Sequence, residues 1–126
     1  MRGRRLFCCA ATFAVAALAR DRPERFFDSR VAPILTKRCL GCHNEDLKNG
    51  EISFLDRESL LKGGRRGPAI VPGKPKQSVL IESLRHEGDL QMPPGPKLPA
   101  KEINVLTEWI RGGAVWGSKL RISVWK

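Results

Sequence analysis

Five consecutive residues, Cys39-Leu40-Gly41-Cys42-His43, constrain this chain more than any other stretch of it. Two thiols separated by two residues cannot staple distant parts of a chain, so they do not form a disulfide framework. Followed directly by histidine, they match a porphyrin: the thiols add across the two vinyl groups of haem and the imidazole lies beneath the iron. One turn of backbone then presents both sulfurs to neighbouring pyrrole edges, and Gly41 is expected to ease that turn. Two other readings use the same residues. Zinc held by Cys39, Cys42 and His43 would need a fourth ligand, for which His86 is the candidate. A thioredoxin-like dithiol would need a surrounding βαβ pattern, which the sequence lacks.

The N-terminus bears on where such chemistry happens. Arg2, Arg4 and Arg5 lead into an almost wholly apolar run from Leu6 to Ala19, and Ala17-Leu18-Ala19 is a small-x-small cleavage site before charged Arg20 and Asp21. This reads as a secretory signal peptide over residues 1–19, cut after Ala19, with a buried N-terminal helix as the alternative. The run is 14 residues long, short of the roughly 20 that a spanning helix needs. Cys8 and Cys9 fall in this segment, outside any Leu-x-small-Cys lipid-anchor context. Export, with a periplasmic location, agrees with haem attachment to a C-x-x-C-H motif after translocation.

The whole chain has 126 residues, a formal charge of +10 and a pI near 10.1. Removing 1–19 takes three arginines and leaves 20 basic against 13 acidic residues, or +7. That bias favours a redox partner with an acidic docking surface. The basic residues are dispersed, with no interleaved aromatic platform, which gives no support to nucleic-acid binding. A chain this short supports one small domain with a thin core, the situation in which a bound cofactor adds what packing cannot.

Hydrophobic spacing points to a small all-α fold. Phe27, Val31, Ile34 and Leu35 recur at helical spacing before the motif, with Pro23 suited to a first turn. Pro33 is awkward in that helix and predicts a kink, or a late start near Asp28 or Ser29. Residues 44–73 are mostly loop, with one helical turn at Asp56 to Lys62. A short helix is expected within Pro75 to Arg85, whereas the four prolines between Gln91 and Pro99 exclude helix. From Lys101 to Arg111, Ile103, Val105, Leu106, Trp109 and Ile110 form one apolar arc, ended by Gly112 and Gly113. Three to four helices and loops closing over one haem describe a cytochrome c-like fold. No repeat or second domain interrupts it.

The order of motifs resembles the planctomycete-type cytochrome c domain. It comprises Val31-x-Pro33-Ile34-Leu35 leading to Cys39 and His43, then Gly63-Gly64 and Gly67-Pro68-Ala69-Ile70. It continues with Pro72-Gly73-x-Pro75-x-x-Ser78, Met92-Pro93-Pro94, and Glu102-Ile103 through Trp109-Ile110 to Gly113-Ala114-x-Trp116. The likeness spans about Phe26 to Trp116, giving a domain over 20–116 and a C-terminal tail over 117–126. In that family the domain usually opens longer secreted proteins. The resemblance implies Cys39 and Cys42 as attachment sites for one covalently held haem c, with His43 as proximal and Met92 as distal iron ligand. Met92 is the single methionine after residues 1–19, and His86 is its rival, giving a bis-histidine site. Two axial ligands leave no open position on iron, so the resemblance implies a single-electron carrier rather than an enzyme. The alternatives are a haem enzyme or ligand sensor, peroxidase-like, with a labile distal ligand, and an electron-accepting module of a dehydrogenase.

Several other residues carry ordinary readings beside functional ones. Lys62, Arg65 and Arg66 read as a solvated loop or as partners of haem propionates or of an acidic partner protein. Pro68 reads as a turn residue or as the carbonyl that accepts the His43 ring N–H. Trp109 and Trp116 read as packing residues, and His86, between Arg85 and Glu87, reads as exposed.

Overall fold

The computed structural model describes residues 22–44, 47 and 49–118. The expected leader over 1–19, with Cys8 and Cys9, lies outside the described residues, as does most of the tail over 117–126. Among the described residues there is helix and turn but no strand; an isolated antiparallel bridge joins Gly64 and Gly67. No described helix is long and apolar enough to cross a membrane.

Helix α1 (Pro23–Phe26) passes through a π-helical turn, Phe27–Val31, into α2 (Ala32–Arg38). The helix therefore starts at Pro23 rather than at Asp28 or Ser29, and the expected kink takes the form of a widened turn. There the Ala32 N–H donates to the carbonyl five residues back, on Phe27. The widening falls just ahead of Pro33, whose ring would otherwise press on the carbonyl four residues back. Tertiary packing keeps the segment helical: Phe27, Val31, Ala32, Ile34 and Leu35 are all buried.

Beyond the motif, α3 (Arg57–Lys62) begins where the Asp56 carboxylate accepts the Ser59 N–H at 2.7 Å, a standard N-cap. A 3₁₀ turn (Pro75–Gln77) leads into α4 (Val79–Arg85), and α5 (Ala100–Arg111) closes the domain. The buried Ser78 hydroxyl ties the entry to α4, accepting from the Val71 N–H and donating to the Lys74 carbonyl, each at 2.9 Å.

The first and last helical segments meet through aromatic rings. Phe27 is fully buried, with its centroid 5.6 Å from Trp109 and 4.3 Å from Trp116. The Trp109 indole N–H donates to the Val115 carbonyl at 2.9 Å, so the chain after α5 folds back over the same cluster. Arg38, at the end of α2, makes a two-pronged ion pair with Glu102 in the first turn of α5, at 3.0 and 3.2 Å. Bonding to Glu102 holds the Arg38 guanidinium above its already high ordinary range. Arg57 donates to the carbonyls of Ala114 and Gly113, which joins α3 to the end of α5. These ties fix α2, and with it the motif, against the rest of the domain.

Candidate haem-binding site

The motif continues α2 by one further turn. Cys39 and Leu40 donate their N–H groups to the Leu35 carbonyl, and Cys42 and His43 both donate to the Cys39 carbonyl. The Asn44 side chain donates to the Leu40 carbonyl at 2.7 Å, closing the turn. Gly41 turns out not to be needed by backbone conformation, because its φ is not in the left-handed region and a Cβ there would meet open space.

Cys39, Cys42, His43 and Met92 all line one cavity of about 350 Å³, in the range of small-molecule and cofactor sites. Its walls are mainly apolar: Ile52, Phe54, Ala69, Val79, Leu80, Leu84, Leu90 and Leu98 face it from four different stretches of chain. Arg38, Arg65 and Arg66 are the charged side chains among its lining. The residues selected from sequence are thus brought together, although 53 positions separate Cys39 from Met92.

The two cysteines are free thiols in unlike settings, Cys39 buried and Cys42 exposed. Burial pushes the Cys39 thiol up to about 12. A redox-active dithiol needs a thiol depressed well below its ordinary value, so the structure argues against the thioredoxin-like reading. His43 is half-buried, and its ring packs against Phe54 with centroids 5.1 Å apart. The Phe54 N–H donates to the His43 carbonyl at 2.9 Å, so one residue supports both the ring and the backbone of the histidine. His43 Nδ1 is buried with no hydrogen-bond partner. An unpaired buried polar nitrogen costs about 1–3 kcal/mol. A histidine with an unsatisfied nitrogen, two thiols beside it and an apolar cavity in front is a donor set that fits a covalently held haem.

Pro68 does not fill the role of partner to His43. It is exposed, is not part of the cavity lining, and its carbonyl accepts the Val79 N–H at 3.3 Å. The neighbouring glycines matter more. A Cβ on Gly63 would run into the Gly67 carbonyl and one on Gly64 into the Gly50 carbonyl, so these loops approach backbone to backbone. Gly63 also has φ +73°, a conformation that side chains disfavour.

Of the basic cluster, Lys62 is exposed and absent from the lining, whereas Arg65 and Arg66 stand at the cavity. Arg66 pairs with Asp89 at 3.2 and 3.4 Å, linking the glycine loop to the segment before Met92. The Arg66 guanidinium holds the Asp89 carboxyl below its ordinary range. Arg65 lies 3.7 Å from Glu51 and is largely exposed. Trp109 and Trp116 pack in the aromatic cluster and do not line the cavity.

His86 departs from the sequence expectation. It is half-buried, not exposed, and its Nε2 lies 2.8 Å from the Met92 carbonyl oxygen. It is not among the cavity residues. Among the described residues no group of three or more His, Cys, Asp or Glu side chains is arranged to hold a metal ion, so His86 does not complete a zinc set with Cys39, Cys42 and His43. Phe54 is the contributor that the sequence reading did not single out. Its one signal was a large aromatic residue in an otherwise turn-rich stretch.

Among known proteins, no curated sequence and no solved structure matches the chain. The family model of Planctomycete cytochrome C matches residues 39–96, a stretch that opens on the first motif cysteine, includes all four candidate site residues and carries most of the cavity wall. Residues 39–96 therefore carry the sequence pattern of the planctomycete cytochrome C family, a family that implies covalently bound haem c.

Proposed function

We propose that this protein is an exported monohaem c-type cytochrome that carries single electrons, with His43 and Met92 as the axial ligands. The observation that carries the reading is that both motif thiols, His43 and Met92 line one and the same apolar cavity. When bound, haem c supplies a one-electron ferric/ferrous couple. The protein's part is attachment, ligation and exclusion of water. Cys39 and Cys42 would hold the haem, the S–H of each adding across a vinyl double bond, sulfur to one carbon and hydrogen to the other, with no atom lost. Phe54 holds the His43 ring in place. Leu80, Leu84 and Leu98, all buried, give the cavity a low-dielectric wall. A thioether ligand in such a wall favours the reduced iron and a raised potential.

Export and maturation are tested together by intact mass on protein made in a host with cytochrome c maturation. The expected species begins at Arg20 and weighs the polypeptide plus one haem, with nothing lost. A retained Met1 would remove the export reading, and an unmodified mass the attachment reading. Cys39→Ala should leave at most one thioether.

The reading also includes a docking preference. With a charge of +7 after loss of 1–19, encounter with an acidic redox partner should be fast at low salt. It should slow as the Debye length shortens to about 8 Å at physiological ionic strength. Stopped-flow rates across a salt series measure this, and a rate independent of ionic strength would rule out electrostatic steering while leaving the haem assignment intact.

A further inference from the structure

We infer that His86 is a positioning residue for Met92, pinning the main chain that presents the sulfur to the cavity. The inference rests on the proposed ligation by Met92. It begins with a conformational oddity: His86 is the residue that ends α4, and it does so in the left-handed region, at φ 55° and ψ 30°. Glycine is the usual occupant of such a position because it carries no Cβ penalty there. A histidine that keeps this conformation supplies something glycine cannot, and the structure shows what it is. The left-handed turn directs the ring forward, where Nε2 donates to the Met92 carbonyl at 2.8 Å. The Met92 N–H in turn donates to the Ser83 carbonyl at 3.0 Å.

Met92 is therefore anchored through both of its backbone polar groups to the last turn of α4. The Gln91 side chain braces the intervening loop, donating to the Gly88 carbonyl at 3.2 Å and reaching the His86 carbonyl at the end of α4 at 3.5 Å. From the cavity lining, Arg66 holds Asp89 in the same loop. The His86 ring is the one side chain in this set that bonds directly to Met92. A sulfur carried on a backbone fixed at both ends has less freedom to lose on meeting iron, and a rival ligand must displace it against that fixation.

Two variants of the haem-loaded protein separate the ring's bond from the backbone turn. His86→Gly keeps, and even favours, the left-handed conformation but removes the donor; His86→Gln retains a side-chain N–H. In His86→Gly the ferric protein should bind added imidazole about tenfold more tightly than wild type, equivalent to about 1.4 kcal/mol, the scale of one hydrogen bond. Its far-red sulfur-to-iron charge-transfer band should melt before the helical circular dichroism does. Exchange of the Met92 amide should quicken as well, a reading independent of iron chemistry. His86→Gln should return all three toward wild type. A His86→Gly protein identical to wild type in band, imidazole affinity and exchange would overturn the role, as would a His86→Gln protein no better than His86→Gly. A wild-type protein without the band would instead overturn ligation by Met92, and the positioning role with it.

Discussion

Replacing Met92 with alanine should abolish the far-red charge-transfer band of the oxidised protein and let carbon monoxide bind the reduced iron. After residues 1–19 are removed, no other methionine remains in the sequence, so no second thioether can take its place. Alanine also leaves a gap in a wall that Pro93, Leu90 and Leu98 otherwise complete, and small exogenous ligands gain both a coordination position and space. The potential should fall, because a thioether ligand stabilises ferrous iron more than water or a nitrogen ligand does. The absorption spectrum with and without carbon monoxide is the measurement. The competing outcome is a wild type that lacks the band and in which His86→Ala alters the ligation spectrum, which would move the distal ligand to His86. The geometry stands against it: His86 Nε2 is engaged by the Met92 carbonyl, and the ring is outside the cavity lining. Peroxidase turnover in the unmodified protein would favour the haem-enzyme alternative.

Those parts of the molecule that depend on short-range chemistry were legible from the residues alone. The spacing of Cys39, Cys42 and His43 called for one further helical turn after the first helix, a constraint that acts over five residues, and that turn is present. The last helix was readable because Leu106, Trp109 and Ile110 mark a 3.6-residue period and all three are buried. For the first helix the sequence left two outcomes open, a kink or a late start, and the structure has a start at Pro23 with a distorted turn. Pro33 weighs locally against helix, but burial of Phe27 and Val31 against other parts of the chain outweighs it, and the backbone answers with a π turn. Ile52 and Phe54 gave no periodic signal, because an irregular segment builds a wall by chain path and not by repeat. His86 was concealed by its neighbours. Between Arg85 and Glu87 it reads as solvated, and only a left-handed backbone at that residue brings its ring back to Met92.

The largest loss of stability should come from Phe27→Ala. Phe27 sits in the π turn at 0% exposure, with ring contacts to both Trp109 and Trp116. It therefore joins the helix that delivers the motif to the helix that closes the domain. Removing a buried phenylalanine ring costs about 3–5 kcal/mol when the site cannot collapse. Collapse is hindered here because the Trp109 indole is tethered to the Val115 carbonyl. Aromatic pairing adds to the loss by about 0.5–1.5 kcal/mol per pair beyond the buried area. Against a total stability of roughly 5–15 kcal/mol, such a change removes a large share of what holds a domain this small together. Denaturant titration of the haem-loaded protein should show a much lower midpoint with an unchanged slope, the sign of lost stability without a change in the surface exposed on unfolding. Phe27→Leu keeps most of the volume but no ring, and it should recover more than half of the loss. If Phe27→Ala shifts stability by less than about 1 kcal/mol, the crossing of first and last helices does not hold the domain. The ties from Arg38 to Glu102 and from Arg57 to the end of α5 would then have to carry the motif's position instead.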